Sequence, residues 1–263
     1  MVDFNVVIPA RFGSTRLPGK ALLDIAGKPM VIRVAEQSAK SGAQQVLIAT
    51  DHESVMAAAH KYGYEACLTG AHHISGTDRI AEVIDKLAWP DHTIVVNVQG
   101  DEPLISPVLI RAVVQHLDAH PECAIATACH PIQDKETMCN PNVVKVILDK
   151  QENALYFSRA SIPFPRDAQD PDWVRNVAAL GHIGIYAYRA SFLRIFCKLD
   201  PVAIEKIEAL EQLRALWYGY KIGATISAET PHGGVDTERD LHVTRKLYDG
   251  QRIMRDKIHG SKS

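Results

Sequence analysis

The chain has 263 residues, of which 46% are hydrophobic and 23% are charged, and its formal net charge at pH 7 is -2. Such a length and composition are typical of a globular protein that buries a sizeable core, and the balanced charge argues against a nucleic-acid partner. The five cysteines are scattered without a C-x-x-C pair, and no basic segment followed by an apolar run begins the chain. We therefore expect reduced thiols, no membrane partner and a cytoplasmic location.

Short apolar segments alternate with helical patterns through the first 150 or so residues. This alternation predicts a parallel sheet that is covered by helices. Predicted strands cover residues 6–8, 46–49, 65–68, 94–98, 124–128 and 143–148. Predicted helices begin near Pro29, Glu53, Asp78 and Ser106-Pro107, where proline and small polar residues give start signals. Because parallel strands end at one edge of a sheet, we expect the polar loops 11–20, 50–52, 75–78 and 99–103 to meet there.

The pattern changes in the second half of the chain. Residues 161–167 are proline-rich and predict an extended loop, whereas residues 181–189 and 224–228 predict strands. Helices are predicted near residues 190–197 and over residues 203–218. The second of these helices carries apolar residues at spacings of three and four, namely Ile204, Ile207, Leu210, Leu213 and Trp217. Such a stripe either packs on the core or forms the seam of a dimer.

Residues 11–20, with the sequence RFGSTRLPGK, form a basic loop directly after the first predicted strand. Three cations and two hydroxyls in one turn-rich segment predict that the loop binds the phosphates of a nucleotide. The loop is not a Walker A motif, because five residues separate Gly13 from Gly19 and Ala21 follows Lys20. The G-x-G-x-x-G fingerprint of dinucleotide-binding enzymes is also absent after this strand.

Two aspartates are candidates for a metal site. Asp101 follows Gly100 at the end of an apolar strand, a position that suits a Mg²⁺ ligand but also a turn or cap residue. Asp236 precedes the last predicted helix, and it or Thr237 is equally suited to cap that helix. Only a fold that brings Asp101 and Asp236 together makes them a metal pair.

A second group of polar residues lies in the second half of the chain. An arginine there could bind a carboxylate, and ring, amide and acid groups could bind hydroxyls, as a polyhydroxylated acid requires. Placement at the surface or at a helix edge is the alternative interpretation for each of them. The group consists of Arg159, His182, Tyr186, Glu211 and Gln212.

Eight segments, in order along nearly the whole chain, resemble the CMP-Kdo synthetases, which are 3-deoxy-manno-octulosonate cytidylyltransferases. They are residues 11–20, 49–51, 75–79, 96–103, 154–159, 182–186, 210–214 and 234–237. The basic loop is also similar to that of the CMP-sialic acid synthetases, so the resemblance to the Kdo enzymes depends on the second half. It implies an α/β fold with a three-layer, open, mostly parallel sheet of the nucleotide-diphospho-sugar transferase type.

The resemblance further implies one nucleotidyltransferase domain over residues 1–263. About residues 1–150 would mainly bind CTP, about 151–230 would form an excursion for sugar binding and dimerisation, and 231–263 would carry the second metal aspartate and a C-terminal helix. The implied reaction moves CMP from CTP to Kdo and releases pyrophosphate, which activates Kdo for lipopolysaccharide biosynthesis. Mg²⁺ would be the required ion, and the enzyme would be a homodimer.

Residue roles follow from the same resemblance. Residues implied to be catalytic are Arg11, Lys20, Asp101 and Asp236, and the two aspartates would bind the metal. Residues implied to bind the nucleotide are Arg11, Ser14, Lys20, Ser75, Gly76 and Gln99. Residues implied to bind Kdo are Arg16, Arg159, His182, Tyr186, Glu211 and Gln212.

Three other functions are weighed against this one. The nearest is CMP transfer to a different acid sugar, either sialic acid or an amino-Kdo. A catalytically silent nucleotide-binding regulator is disfavoured, because Lys20, Asp101 and Asp236 are all present. A nicotinamide-dependent oxidoreductase is disfavoured by the missing glycine fingerprint.

Overall fold

A computed structural model describes residues 2–13, 17–73, 75–166, 173–176, 179–228 and 230–260 of the chain. Its contacts form two compact units. The parallel-strand unit comprises Asn5–Leu87, Asn97–Pro107 and His232–Ser263, and the mixed-strand unit comprises Met1–Phe4, Ala88–Val96 and Val108–Pro231. The expectation of a single domain stays a prediction.

The described strands and helices follow the chain in this order. The strands are β1 (Phe4–Pro9), β2 (Asp24–Ile25), β3 (Lys28–Pro29), β4 (Gln45–Thr50), β5 (Glu65–Leu68), β6 (Ile94–Asn97), β7 (Cys123–Pro131), β8 (Lys145–Leu148), β9 (Ala154–Ser158), β10 (Leu180–Arg189) and β11 (Lys221–Ile226). The helices are α1 (Met30–Ala39), α2 (Glu53–Lys61), α3 (Gly76–Lys86), α4 (Pro107–Ala119), α5 (Lys135–Cys139), α6 (Trp173–Asn176), α7 (Ala190–Phe196), α8 (Ala203–Glu208), α9 (Leu213–Trp217) and α10 (Glu238–Gly260). A short 3-10 helix covers Lys20–Leu22. In the part of the chain described, no helix is long and apolar enough to span a membrane.

In the parallel-strand unit, β4 lies between β1 and β5 and runs parallel to both. The central residues of β1, from Val6 to Ile8, are fully buried, as expected for a strand covered on both faces. A second apolar cluster joins Leu17, Ile25 and Met30 to Val235, Leu241 and Tyr248. Through this cluster, α10 packs against the end of the basic loop and against the segment that follows it. The predicted strands at 6–8, 46–49 and 65–68 are confirmed in this unit.

In the mixed-strand unit, β7 pairs with β11 in parallel and with β10 in antiparallel orientation. The β8–β9 and β8–β10 pairs are also antiparallel. The alternating pattern predicted parallel strands at 124–128 and 143–148 and missed β9. Antiparallel pairing follows from the short link between β8 and β9, where Asp149 Oδ1 accepts hydrogen bonds from the amides of Gln151 and Asn153, each at 2.8 Å.

The long helix predicted over residues 203–218 is wrong, because two short helices, α8 and α9, occupy this stretch. Ala209 ends α8 in the left-handed conformation, with φ of 50°. A buried ion pair between Glu205 and Arg214 then holds the two helices together. Of the apolar stripe, Leu210 and Leu213 are buried, whereas Ile207 and Trp217 are 83% and 61% exposed.

Two predicted boundaries are also corrected. Helix α3 begins at Gly76 rather than near Asp78, because Ser75 caps it. Strand β11 ends at Ile226, so the strand predicted at residues 224–228 begins earlier and is shorter at its carboxyl end.

Candidate active site

A cavity of ≈ 350 Å³ lies in the parallel-strand unit, at the carboxyl ends of its strands. Seven residues that the sequence predicts for the nucleotide and metal sites line it: Arg11, Lys20, Ser75, Gly76, Gln99, Asp101 and Asp236. Pro9, Ala10, Ala21, His73, Arg79 and Gly100 also line it and were not predicted. The predicted residues Ser14 and Arg16 lie outside the described residues. The structure thus brings four distant segments of sequence to one cavity, while the roles of their residues stay predictions.

Gly100 allows the end of β1 to approach the segment that carries Asp101. A Cβ atom on Gly100 would lie 2.8 Å from the carbonyl oxygen of Pro9, so a larger residue would force the segments apart. The amide of Val98 donates to the carbonyl of Val7 at 3.2 Å and keeps the two chains aligned. Asp101 is therefore held close to the basic loop by main-chain packing.

Lys20 joins the two candidate metal aspartates. Its Nζ lies 2.6 Å from Asp101 Oδ2 and 2.9 Å from Asp236 Oδ1. The main chain supports this meeting, because the amide of Val235 donates to the carbonyl of Asp101 at 2.8 Å. The juxtaposition that a metal pair requires is therefore present, although the two aspartates are far apart in sequence.

Thr237, rather than Asp236, caps α10. The Oγ1 of Thr237 accepts from the amide of Asp240 at 3.2 Å, and Asp240 Oδ2 accepts from the amide of Thr237 at 2.8 Å. This reciprocal arrangement is a capping box. The carboxylate of Asp236 is therefore available to Lys20 instead of the helix end.

The donor set of this cluster fits Mg²⁺. Carboxylate oxygens are the ligands that Mg²⁺ prefers, and Asp101 and Asp236 already converge on one cation, the ammonium of Lys20. Within the described ranges, no group of three or more His, Cys, Asp or Glu side chains could hold a metal ion. Phosphate oxygens and water would therefore have to complete the coordination shell, as is usual for Mg²⁺ in phosphate-transfer sites.

The neighbouring Glu102 changes the charge of this region. Burial, together with the negative charge of Asp101, raises the pKa of Glu102 to about 8. The raised pKa favours the protonated form of Glu102 near neutral pH, which lowers the negative charge that Glu102 adds to this segment.

Ser75 and Gln99 already have partners within the unit. Ser75 Oγ accepts from the amide of Asp78 at 3.1 Å and donates to Asp78 Oδ2 at 3.0 Å, so it caps α3. Gln99 Nε2 is 3.5 Å from Asn97 Oδ1, which is a long hydrogen bond. Gly76, the first residue of α3, lines the cavity, and such a helix end favours anions.

The Kdo-binding residues predicted from sequence that the structure describes lie in the mixed-strand unit. His182 and Tyr186, both on β10, have ring centroids 5.4 Å apart. The Nε2 of His182 lies 2.9 Å from Thr127 Oγ1, and the ring of Phe157 packs against its edge. Burial lowers the pKa of His182 to about 3, so the ring is neutral at physiological pH.

Arg159 has hydrogen-bond partners for its guanidinium, whereas Gln212 has none for its side-chain nitrogen among the described residues. Arg159 donates to the carbonyls of Glu208 at 2.7 Å, Pro141 at 3.0 Å and Ala209 at 3.4 Å. Gln212 is 5% exposed, and its Nε2 has no hydrogen-bond partner among the described residues. A buried amide donor without a partner is rare in folded proteins and suits contact with a ligand.

Glu211, the remaining candidate, lies beside Arg214, with Oε1 4.0 Å from a guanidinium nitrogen. This ion pair is long and partly exposed, so it contributes little to the stability of the unit. Its role in sugar binding stays a prediction.

Comparison with known proteins gives a consistent result. The model of a family described as cytidylyltransferase matches residues 5–222. A solved structure of CMP:2-keto-3-deoxy-manno-octonic acid synthetase complexed with CTP shares 40% sequence identity with this chain, covers 95% of it and 100% of its own length, and has a TM-score of 0.87. A cytidylyltransferase from Leptospira borgpetersenii serovar Hardjo-bovis (strain JB197) is 16% identical over 99% of this chain and 96% of its own, with a TM-score of 0.62, and it shares the fold. The predicted α/β fold of the nucleotidyltransferase type is confirmed.

Proposed function

The chain belongs to the cytidylyltransferase family, and from this premise we propose that it transfers CMP from CTP to 3-deoxy-manno-octulosonate (Kdo). The products are CMP-Kdo and pyrophosphate. The observation that carries this proposal is the 40% identity, over 95% of the chain, to a CMP:2-keto-3-deoxy-manno-octonic acid synthetase that was solved with CTP. The cavity supports it, since it combines cations for phosphates with carboxylates for a metal ion.

Arg11 and Lys20 bind the triphosphate of CTP in this proposal. Both line the cavity at the end of β1. Their positive charges neutralise the phosphate oxygens in the ground state and the pyrophosphate as it departs. Ser75, Gly76 and Gln99 contact the cytosine and ribose, and a pocket that needs the exocyclic amine of cytosine as a donor rejects uracil.

The reaction is an in-line displacement at the α-phosphorus. The anomeric oxygen of Kdo forms a bond to phosphorus while the bond to the pyrophosphate oxygen breaks, and the hydroxyl proton is released. Asp101 and Asp236 would hold Mg²⁺, which supplies charge screening and lowers the pKa of the attacking hydroxyl when it is bound. The ammonium of Lys20 contacts both aspartates. When the phosphates bind, the same ammonium therefore interacts with them as well as with the two carboxylates.

Arg159, His182, Tyr186, Glu211 and Gln212 bind Kdo in this proposal, together with Arg16. Neutral His182 can exchange one hydrogen bond with a sugar hydroxyl without adding charge. We further propose that the enzyme forms a homodimer in the cytoplasm and supplies activated Kdo for lipopolysaccharide biosynthesis.

The decisive experiment measures pyrophosphate release from CTP and Kdo, with and without Mg²⁺. Parallel reactions replace Kdo by sialic acid, or CTP by UTP. We expect release only when CTP, Kdo and Mg²⁺ are present together. Release with sialic acid but not with Kdo would contradict the proposed acceptor and keep the nucleotide site. Release without Mg²⁺ would contradict the proposed metal requirement.

A further inference from the structure

The loop that follows β1 is anchored to the segment that follows β4 by two contacts. The amide of Phe12 donates to Asp51 Oδ1 at 2.9 Å, and the ring of Phe12 stacks on His52 with centroids 3.9 Å apart and planes at 15°. Two residues earlier in each segment, the amide of Ala10 donates to the carbonyl of Ala49 at 2.8 Å. A side-chain carboxylate thus continues the main-chain pairing of β1 and β4 after the two strands have ended.

The second oxygen of Asp51 is held by a buried arginine that lines the cavity. Arg79 Nη2 lies 3.0 Å from Asp51 Oδ2, and the two side chains are 4% and 15% exposed. Arg79 Nη1 also donates to Thr69 Oγ1 at 2.5 Å, and Thr69 Oγ1 in turn donates to the carbonyl of Thr50 at 3.0 Å. Hydrogen bonds that run from Arg79 through Thr69 to the main chain therefore fix the orientation of the Asp51 carboxylate.

We propose that Asp51 and Arg79 are positioning residues for the nucleotide. Asp51 fixes the main chain at Phe12, the residue directly after Arg11, and Arg79 fixes Asp51. Arg11 is consequently held at the cavity before the phosphates arrive, and less conformational entropy is lost when CTP binds. This inference rests on the proposed function, because it takes the phosphates of CTP as the partners of Arg11.

The chemistry of the contact suggests the variant Asp51→Asn. The carboxylate uses one oxygen for the Phe12 amide and the other for Arg79, whereas an asparagine has only one acceptor oxygen. The variant must therefore give up one of the two contacts. We expect CTP to bind about tenfold more weakly and the KM for CTP to rise to a similar extent, with little change in kcat at saturating CTP.

A double-mutant cycle separates positioning from a general structural effect. If Asp51 acts through Arg11, Asp51→Asn weakens CTP binding about tenfold in the parent chain and by less than about twofold in an Arg11→Gln background. The same loss in both backgrounds would overturn the proposal. Unchanged CTP binding in the parent background would overturn it too.

Glu36 supplies the matched control. Its carboxylate lies in the same unit and also joins two cations, with Lys28 on one oxygen and Arg33 at 3.0 Å on the other. Glu36→Gln should leave CTP affinity unchanged. Thr69→Val is a second variant that removes the hydroxyl between Arg79 and the carbonyl of Thr50 while leaving Asp51 in place, and it serves in the same cycle if Asp51→Asn does not fold.

Hydrogen exchange of the Phe12 amide tests the anchoring without any ligand. We expect faster exchange at this amide in Asp51→Asn and in Thr69→Val, and the parent rate in Glu36→Gln. CTP affinity is measured without Kdo, so a failure of this inference can be distinguished from a failure of the proposed function. If the double-mutant cycle gives the expected CTP affinities but the parent chain makes no CMP-Kdo, only the proposed function is contradicted. If the parent chain is active but Asp51→Asn weakens CTP binding equally in both backgrounds, only this inference is contradicted.

Discussion

The two units hold their candidate functional side chains in different ways. In the parallel-strand unit, the charged residues of the cavity pair with one another, as Lys20 does with Asp101 and Asp236. In the mixed-strand unit, Arg159 is bonded to main-chain carbonyls and His182 is packed in a neutral state. The first unit thus presents an ionic cluster, which in the proposed function binds the triphosphate and a metal ion. The second combines the neutral imidazole of His182 with the charged guanidinium of Arg159.

The ionic character of the parallel-strand unit is tested most strongly by Asp101→Asn. We expect turnover to fall by about a hundredfold or more, because metal and charge-positioning effects have this magnitude, while the fold is retained. Pyrophosphate release and thermal unfolding measure the two effects. The exposed Asp118→Asn serves as control, and activity above about a tenth of that of the parent enzyme would contradict the assignment.

Lys145→Met tests how the mixed-strand unit is held together. Lys145 is fully buried, and its Nζ donates to the carbonyls of Asn140 at 3.0 Å, Val143 at 2.7 Å and Arg159 at 2.6 Å. Its removal takes one donor from each of three carbonyls, and we expect the free energy of unfolding to fall by about 3 kcal/mol. Chemical denaturation measures this loss. Exposed Lys150→Met should change the free energy by less than about 0.5 kcal/mol, and an equal effect of both variants would refute the role of the buried ammonium.

The neutral packing of His182 predicts a pH dependence of stability. The folded pKa is about 3, whereas an unfolded histidine titrates near about 6.5, so the unfolded state binds more protons between these values. Stability should therefore fall as the pH decreases below about 6.5, by at most about 1.4 kcal/mol per pH unit. Denaturation at pH 7 and pH 5 would show this loss, and His182→Gln should reduce it. His92→Gln, at an exposed position in the same unit, should leave the slope unchanged.

Gln212→Met is expected to have the smallest effect on stability among these variants. It tests whether a residue of the mixed-strand unit contributes to sugar binding but not to CTP binding. Because Nε2 of Gln212 has no partner among the described residues, its replacement should change the free energy of unfolding by less than about 1 kcal/mol. If the amide binds Kdo, the KM for Kdo should rise about tenfold while the KM for CTP stays constant. Steady-state kinetics with each substrate varied would measure both constants. Exposed Gln115→Met is the control, and an unchanged KM for Kdo would remove Gln212 from the sugar site.

Sequence reasoning works best where a function depends on a short stretch of chain. The strand at 65–68 and the helix start at Glu53 are confirmed, because local apolar runs and start signals determine them. The cations and hydroxyls of residues 11–20 likewise predict, without any other segment, a loop that binds phosphates. The Asp51–Arg79 pair was not assigned a role, although both residues lie in segments that carry the family resemblance, because nothing in either segment alone shows that the two side chains meet.

The sequence by itself determined the fold class and most element positions, since periodicity and turn residues act over a few neighbours, and it predicts that residues 11–20 bind the nucleotide. Only the tertiary structure decided that α8 ends at Glu208, before the left-handed Ala209. A helical pattern of apolar residues does not reveal one left-handed residue, and the Glu205–Arg214 ion pair joins two separate helices. The meeting of Asp101 and Asp236 at Lys20 likewise depends on main-chain contacts between segments far apart in sequence. Local patterns specify elements, whereas the convergence of charges across distant segments arises only when those elements pack.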